Sequence, residues 1–479
     1  MEHFNAAVIG GGLLGCFAAR ELSRWKLNIV LLEAWEDVCT GISRANTAIV
    51  YPGYDHKPGT LKAEMTVRAN AAFDRLCKEL DVPFSRCGSL MLSFGPRADA
   101  VLKKKLQNGE TNGVPGLRLL DAERVYAMEP GLAPGLRHAL FSPTAGTVNP
   151  WQLGIAACEN AVHNGVQIRL NTKVEALHRD AEGYLLETDR GTLRTRAVIN
   201  CAGLAAHWVQ ELLFPPSVRI VPTAGDYLVL DKNSVGKPTH ILEYEPEEKV
   251  KGLTIVPTVE GSLLVGPSER DNTLDYATTE EGLLWVREQA ARLLPGLDLD
   301  GTIRSFAAVR PNPEQMDGRS IHSFCIEHPA EGFWSLIGIK TPGLTSAREL
   351  GQYVAAALAR ELHAEENTAF DPIRHAIPKA HALSFDERQK LAAAEPDYGE
   401  IICCCEDVTR AEVLEAIRRG ACTVDGVKRR VGTGMGCCQG ARCEQKITAL
   451  LSESLGIPES AVLKDGPGSR IVRSEHENM

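Results

Sequence analysis

Apolar residues open the chain in an unbroken run, Ala6-Ala7-Val8-Ile9, and return as a second run over residues 28–32. Between them lie Gly10-Gly11-Gly12-Leu13-Leu14-Gly15 and a small-residue stretch through Ala18 and Ala19, so residues 6–33 predict one strand–helix–strand unit. A helical period covers 61–80 and stops before Val82-Pro83, because the residue ahead of a proline disfavours the α conformation. Strand-like runs recur at 167–170, 184–188 and 197–200, then at 226–230, 253–256 and 262–265. This mixture of parallel-type and hairpin-type signals predicts an α/β domain carrying a second domain built largely from strands. Periodicity is lost over 364–398, a polar Ala/Pro-rich stretch that reads as a linker. A compact module follows over 398–451, and 464–479 reads as a loose polar tail.

Length and charge narrow the picture. The 479 residues allow two to three domains, and 44% hydrophobic with 24% charged residues is ordinary for a globular protein. A net charge of −10 argues against nucleic acid as a main partner, because phosphate binding needs a basic footprint. The N-terminus enters its first strand without a basic region or cleavage site, and no apolar run reaches a membrane span. The cysteines at 16, 39, 77, 87, 158, 201 and 325 are scattered like free thiols of a reducing compartment. The expectation is a cytoplasmic protein without a transmembrane segment, with peripheral docking on a membrane partner left open.

Chemistry concentrates at the two ends. Gly10 permits a tight turn, Gly12 close approach to a pyrophosphate and Gly15 close helix–strand packing, with the helix N-terminus facing the phosphates. Glu33 lies 18 residues past Gly15, at the end of the next strand, where a carboxylate can hold ribose hydroxyls. This pattern does not separate NAD from FAD. Two downstream features favour FAD: Asn200-Cys201-Ala202-Gly203, which lets backbone approach a cofactor, and residues 338–346, which lead into a helix from about Ala347. Thr345 or Ser346 is expected to cap that helix, whose start would stabilise negative charge on a reduced flavin.

At the other end, seven of the 14 cysteines fall between Cys403 and Cys443. Cys403 and Cys405, with Cys438 and Cys443, offer thiolates from two short segments, which suits a 2Fe–2S cluster or a zinc ion. Thr409-x-x-Glu412 predicts a capping-box helix start, Gly420 its stop, and a second helix is expected from about Ala441. Lys428, Arg429 and Arg430 read either as counter-charge to a thiolate-bound cluster or as a solvated basic turn.

Residues 1–370 resemble the FAD-dependent D-amino-acid-oxidase-like superfamily, most closely its glycerol-3-phosphate dehydrogenase and L-2-hydroxyglutarate oxidase branch. The resemblance is carried by the opening glycines, Glu33, Gly41-Ile42-Ser43-Arg44-Ala45-Asn46 and Gly53-Tyr54-Asp55 through Pro58-Gly59-Thr60-Leu61-Lys62-Ala63. It continues in Pro143-Thr144-Ala145-Gly146-Thr147-Val148, Gly225-Asp226-Tyr227, Pro257-Thr258-Val259, Leu264-Val265-Gly266-Pro267 and 338–346. Residues 400–450 resemble the bacterioferritin-associated-ferredoxin-like 2Fe–2S domain through Cys403-x-Cys405-Glu406, Gly434-Met435-Gly436 and Cys438-Gln439-Gly440-x-x-Cys443.

The resemblance implies an α/β, Rossmann-like FAD domain over 1–80, 145–220 and 325–365, and an antiparallel-sheet substrate domain over 81–144 and 221–324. It further implies a linker over 371–397, a small helical 2Fe–2S domain over 398–452 and a polar tail over 453–479. FAD contacts are implied at Gly10, Gly12, Leu13, Leu14, Gly15, Glu33 and Ala34, then at Ser43, Asn46, Thr47 and Val174. Further contacts are implied at Ala202, Gly203, Gly338, Gly343, Leu344 and Thr345. The implied cluster ligands are Cys403, Cys405, Cys438 and Cys443, with Cys404 and Cys437 read first as spectators. Two departures from the branch pattern, Tyr51-Pro52 where His is frequent and Thr223-Ala224 where Arg is frequent, suggest shifted specificity.

The implied activity is a flavin dehydrogenase that takes hydride from a small anionic alcohol and passes electrons through the cluster to a flavoprotein or quinone-linked partner. Arg310 suits a carboxylate or phosphate, and Lys340 a reduced flavin; Tyr51, His56 and Tyr244 are weaker base or contact candidates. Glycerol 3-phosphate leads as substrate, followed by L-2-hydroxyglutarate or another 2-hydroxy acid, then amino or imino acids. Rival readings are a zinc- or redox-responsive docking module attached to a flavoprotein, and a flavoprotein with decayed activity.

Overall fold

The computed structural model describes residues 1–247 and 252–472. In its first layer the central strands are buried on both faces, by helices on one side and largely by the 174–188 hairpin on the other, which is why they read as continuous apolar runs rather than alternating ones. Strand β1 (Glu2–Ile9) leads through helix α1 (Leu13–Leu22) to β2 (Ile29–Leu32), and the two strands pair in parallel with Ile9 opposite Leu32. Helix α2 (Leu61–Leu80) has the predicted bounds: the Thr60 hydroxyl accepts from Ala63 N, and Asp81 closes it in the left-handed region at φ 49°. Helix α3 (Pro150–His163) packs on α1. Strand β3 (Gly191–Asn200) pairs in parallel with β1 on its other side, setting Asn200 opposite Ile9. The crossing point of the sheet thus falls at the carboxyl ends of β1 and β3, beside the glycine turn.

The second domain is built on a nine-stranded sheet. Its longest pairing is an antiparallel ribbon of β4 (Val218–Leu230) and β5 (Thr302–Gln315), with Thr223 opposite Arg310 and Tyr227 opposite Phe306. Helix α4 (Glu280–Leu293) covers the sheet's apolar face, burying Val286 and Ala290 against Leu228 and Val265. The chain then returns to the first layer as α5 (Gly343–Glu361), which packs on α1 and α2. That helix begins earlier than expected, with Pro342 as its N-cap residue and no side-chain cap, so Thr345 and Ser346 lie inside its first turn.

The C-terminal segments are more ordered than their composition predicts. The expected linker contains α6 (Phe385–Ala394), started by a Ser384–Glu387 capping box. Helix α7 (Arg410–Arg418) has the predicted Thr409–Glu412 capping box and is followed by Gly420 at φ +96°. The sequence reading missed α8 (Val424–Val431), and α9 (Glu444–Leu455) begins three residues later than expected. The tail is not loose as far as residue 472: Val462 is buried in the module's core, and Leu463 bridges to Arg470. The last part of the expected tail, 473–479, lies outside the described residues. Among the described residues no helix is long and apolar enough to cross a membrane.

Candidate active site and thiol cradle

The glycine turn between β1 and α1 has no room for side chains. A Cβ on Gly10 (φ +101°) would sit 2.6 Å from the Cys201 carbonyl oxygen, and one on Gly15 would sit 1.8 Å from the Gly10 carbonyl oxygen. Glu33 leaves the end of β2 and accepts from Gly11 N at 2.5 Å and Trp35 N at 2.9 Å; burial raises its pKa, against these hydrogen bonds. From this turn a cavity of about 1310 Å³ extends to the β4–β5 ribbon. That exceeds the roughly 300–1,000 Å³ of a pocket for a drug-sized ligand, leaving space for a dinucleotide and a small substrate together.

Most of the residues singled out in the sequence line this cavity. They are Gly10, Gly12, Leu13, Leu14, Glu33, Ala34, Ser43, Asn46, Thr47, Val174, Ala202, Gly203, Gly343 and Leu344, together with Arg310, Lys340 and Tyr51. The rest stand behind the wall. Gly15 is a packing position, and Gly338 (φ +63°) forms a turn so close to Pro313 that a Cβ would approach to 2.6 Å. Thr345 holds the wall from behind, its hydroxyl accepting from Tyr51 N at 2.9 Å. His56 is also outside the lining; its Nε2 is buried without a hydrogen-bond partner, and burial, reinforced by Lys62, lowers its pKa to about 4. Tyr244 packs edge-on against Phe94 at 6.0 Å in the strand domain, away from the cavity.

The ribbon delivers the charged groups. Tyr227 lines the cavity and stacks on Phe306 at 4.8 Å, with the Arg310 charge beside its hydroxyl. Arg310 also lies 3.5 Å from Glu269. Lys340 donates to Asn312 Oδ1 at 2.6 Å, and Asn312 Nδ2 donates to Thr223 Oγ1 at 3.1 Å, so the Thr223 position acts on Lys340 through Asn312. Burial and then Arg310 lower the Lys340 pKa; burial and then Lys340 lower that of Lys62 to about 8. Burial also holds Tyr51 above the usual phenol range, with a further push from Glu243, so it remains a protonated phenol at neutral pH.

Sequence reading missed Tyr227, Asn312 and Lys62 as members of this constellation. The Gly225-Asp226-Tyr227 motif was a usable signal for the first. Lys62 stands in the 58–63 motif, whereas Asn312 depends on strand register, which is not written locally.

The four expected cluster cysteines converge as two pairs. Cys405 Sγ lies 3.4 Å from Cys438 Sγ, and Cys403 and Cys443 are buried beside each other. The interaction lowers the pKa of Cys403 and raises that of Cys443, so Cys403 is the more acidic thiol of this pair. Among the described residues no group of three or more His, Cys, Asp or Glu side chains surrounds a single metal position. Two pairs suit two irons with two thiolates each. Cys403 and Cys443 are buried, whereas Cys404 and Cys437 are exposed. Lys428, Arg429 and Arg430 do not form a solvated turn. All three lie on α8 and are buried or nearly so, and both arginines are ion-paired to Asp37 of the first domain.

A dinucleotide turn, a strand-built domain closing over it and cationic side chains at their junction define a flavoprotein oxidoreductase. The chain belongs to the FAD-dependent oxidoreductase family, whose profile matches residues 5–357, and its residues 401–453 match the BFD-like [2Fe-2S] binding domain. It is 40% identical over 478 residues to a glycerol 3-phosphate dehydrogenase of Caloramator mitchellensis, covering 98% of each chain. It is 28% identical to the human mitochondrial L-2-hydroxyglutarate dehydrogenase, over 68% of this chain and 81% of that one. Its fold matches dithionite-reduced L-alpha-glycerophosphate oxidase from Mycoplasma pneumoniae with FAD bound, at a TM-score of 0.72 and 23% identity, covering 78% of this chain and 99% of that one. The protein is an FAD-dependent oxidoreductase with a 2Fe–2S domain, which replaces the zinc alternative left open by cysteine spacing.

Proposed function

We propose that the protein oxidises the secondary alcohol of glycerol 3-phosphate to the ketone and delivers the electrons to a separate acceptor protein. The observation that carries this reading is end-to-end similarity, cluster module included, to a glycerol 3-phosphate dehydrogenase. FAD, when bound, supplies the hydride acceptor, and the 2Fe–2S cluster supplies single-electron relay. The chain's own residues do the remaining work. Gly10 and Gly12 bring backbone to the cofactor phosphates, Glu33 holds the nucleotide ribose, and Ser43, Asn46 and Thr47 wall the cofactor in. Arg310 and Lys340 bind the substrate's anionic group, and Tyr51 presents a hydroxyl that stays protonated and orients the substrate oxygen. Cys403, Cys405, Cys438 and Cys443 hold the cluster.

The acceptor is an electron-accepting flavoprotein or a quinone-linked subunit, which favours a cytoplasmic enzyme that docks peripherally where its acceptor is membrane-bound. None of the described cysteines is disulfide-bonded, in keeping with that compartment. The test is the absorbance of anaerobic holoenzyme on adding sn-glycerol 3-phosphate. Rapid bleaching of the flavin band followed by cluster reduction supports the reading. A fully loaded enzyme whose flavin stays oxidised defeats it. The relative acting on L-2-hydroxyglutarate favours a second reading, and flavin bleaching by that hydroxy acid alone would establish it.

A further inference from the structure

The cluster module also clasps the segment that walls the FAD cavity. Arg430 grips Asp37 with both guanidinium nitrogens, Nη1 to Oδ2 at 2.7 Å and Nη2 to Oδ1 at 2.9 Å, and Arg429 Nη2 adds a third contact at 3.2 Å. Asp37 is 1% exposed, so this contact is shielded from water. Arg429 Nη1 reaches on to Asp465 at 2.7 Å, and Asp465 in turn binds Arg44. Cys422 Sγ donates to the Glu36 carbonyl at 3.3 Å. The segment from 36 to 44 is therefore held at both ends by α8 and the residues after α9.

That same segment is joined to the dinucleotide turn. Cys39 N donates to the Gly11 carbonyl at 2.9 Å, and Ser43 Oγ accepts from Leu13 N, the first residue of α1, at 3.0 Å. Glu33, Ala34, Ser43, Asn46 and Thr47, which flank or belong to it, line the cavity. A buried bidentate arginine–carboxylate pair fixes geometry more tightly than an exposed one, because neither partner can exchange it for water.

We propose that Arg429 and Arg430 are positioning residues for FAD: by clasping residues 36–44 they make the docked C-terminal module part of the flavin site, so that docking of the module strengthens FAD binding. Linkage makes the coupling reciprocal: whatever undocks the module weakens FAD binding, and bound FAD opposes undocking.

The test uses holoenzyme carrying both cofactors, with FAD release followed by flavin fluorescence and the cluster by its visible absorbance. Arg430→Met should raise the FAD dissociation constant about 10- to 100-fold, the range for loss of a hydrogen-bonded charge pair, with Arg430→Lys restoring part of it. Asp37→Asn added to Arg430→Met should cost less than the two changes separately, because both act on one contact. Asp465→Asn, at the more exposed end of the clasp, should weaken FAD binding about 3- to 10-fold and serves if Arg430→Met does not fold. FAD dissociation constants within about twofold of the parent in every variant that folds and retains its cluster would overturn the proposal.

Discussion

The Lys340 ammonium sits 2.6 Å from Asn312 Oδ1, and Asn312 is held in turn by its own donation to Thr223 Oγ1 at 3.1 Å. Asn312 is thus the residue that fixes where Lys340 places its charge, one strand position beyond Pro311 and two from Arg310. Asn312→Leu should leave FAD and cluster content intact and raise KM for glycerol 3-phosphate about 10-fold, the smaller end of what a charged hydrogen bond contributes. Steady-state kinetics with flavin and iron quantified on the same sample makes the comparison. An unchanged KM would mean that Lys340 finds its position without Asn312.

Lys62 comes from the first turn of α2 and lies beside Lys340, with its ammonium 5.8 Å from the Phe324 ring centre. Burial and Lys340 lower its pKa to about 8. The sign is direct: Lys62 is charged below that value and neutral above it, so its attraction for a dianion fades as pH rises through about 8. Sulfate, doubly charged across this range, serves as a competitive probe. Its inhibition constant should rise about 10-fold between pH 7 and 9.5 in the parent and much less in Lys62→Met. Parallel profiles in the two proteins would remove Lys62 from the anion site.

The first strand–helix–strand unit, α2 and the start of α7 were legible because each is specified within a few residues, by an apolar run, a Thr cap or a capping box. The same locality made most of the cavity wall readable from the glycine turn, Glu33 and the 338–346 segment. Helix α8 escaped because its Val-Asp-Gly-Val-Lys-Arg-Arg-Val run is half charged, and a basic cluster reads as solvated when its acid partner is Asp37, nearly 400 residues away in sequence. His56 stands behind the wall for the converse reason: sequence marks an imidazole near the right motif but not the burial that lowers its pKa there. Thr345 lies within α5 instead of capping it because the helix starts four residues before Ala347.

Glu243 gives the fold a pH dependence of its own. It is half-buried beside Asp55, accepts from Tyr54 Oη at 2.7 Å, and has its pKa raised to about 7, mainly by loss of hydration. A carboxyl with a raised folded-state pKa holds its proton longer in the native state than in the unfolded chain. Its contribution to stability is therefore complete below the unfolded pKa near 4.5 and is lost as pH rises through about 7. The shift corresponds to roughly 3 kcal/mol between those limits. Glu243→Gln should flatten the fall in melting temperature between pH 5 and pH 8, leaving the variant less affected than the parent by the alkaline step. Equal slopes in the two proteins would show that Glu243 is ionised in the fold at pH 5 already.

The thiol pairs make separate predictions for neighbouring cysteines. Cys403 and Cys443 are buried together, and Cys405 faces Cys438 at 3.4 Å, so each of these four has a partner within a pair that can bind one iron. Serine at any of them replaces a soft thiolate with a hydroxyl that is protonated at neutral pH and should abolish or severely deplete the 2Fe–2S absorbance. Cys404 and Cys437 adjoin the ligands in sequence but are exposed. Serine at either should leave iron and acid-labile sulfide near parent values, since neither forms part of a pair. The flavin step then distinguishes relay from scaffold: in Cys405→Ser, glycerol 3-phosphate should still bleach FAD at close to the parent rate in a single turnover, while reduction of the external acceptor stops. Loss of the single-turnover bleaching together with loss of FAD would instead place the defect at the Asp37 clasp, through collapse of the module that holds it. Parent-like acceptor reduction without a cluster would show that electrons leave the flavin by another route.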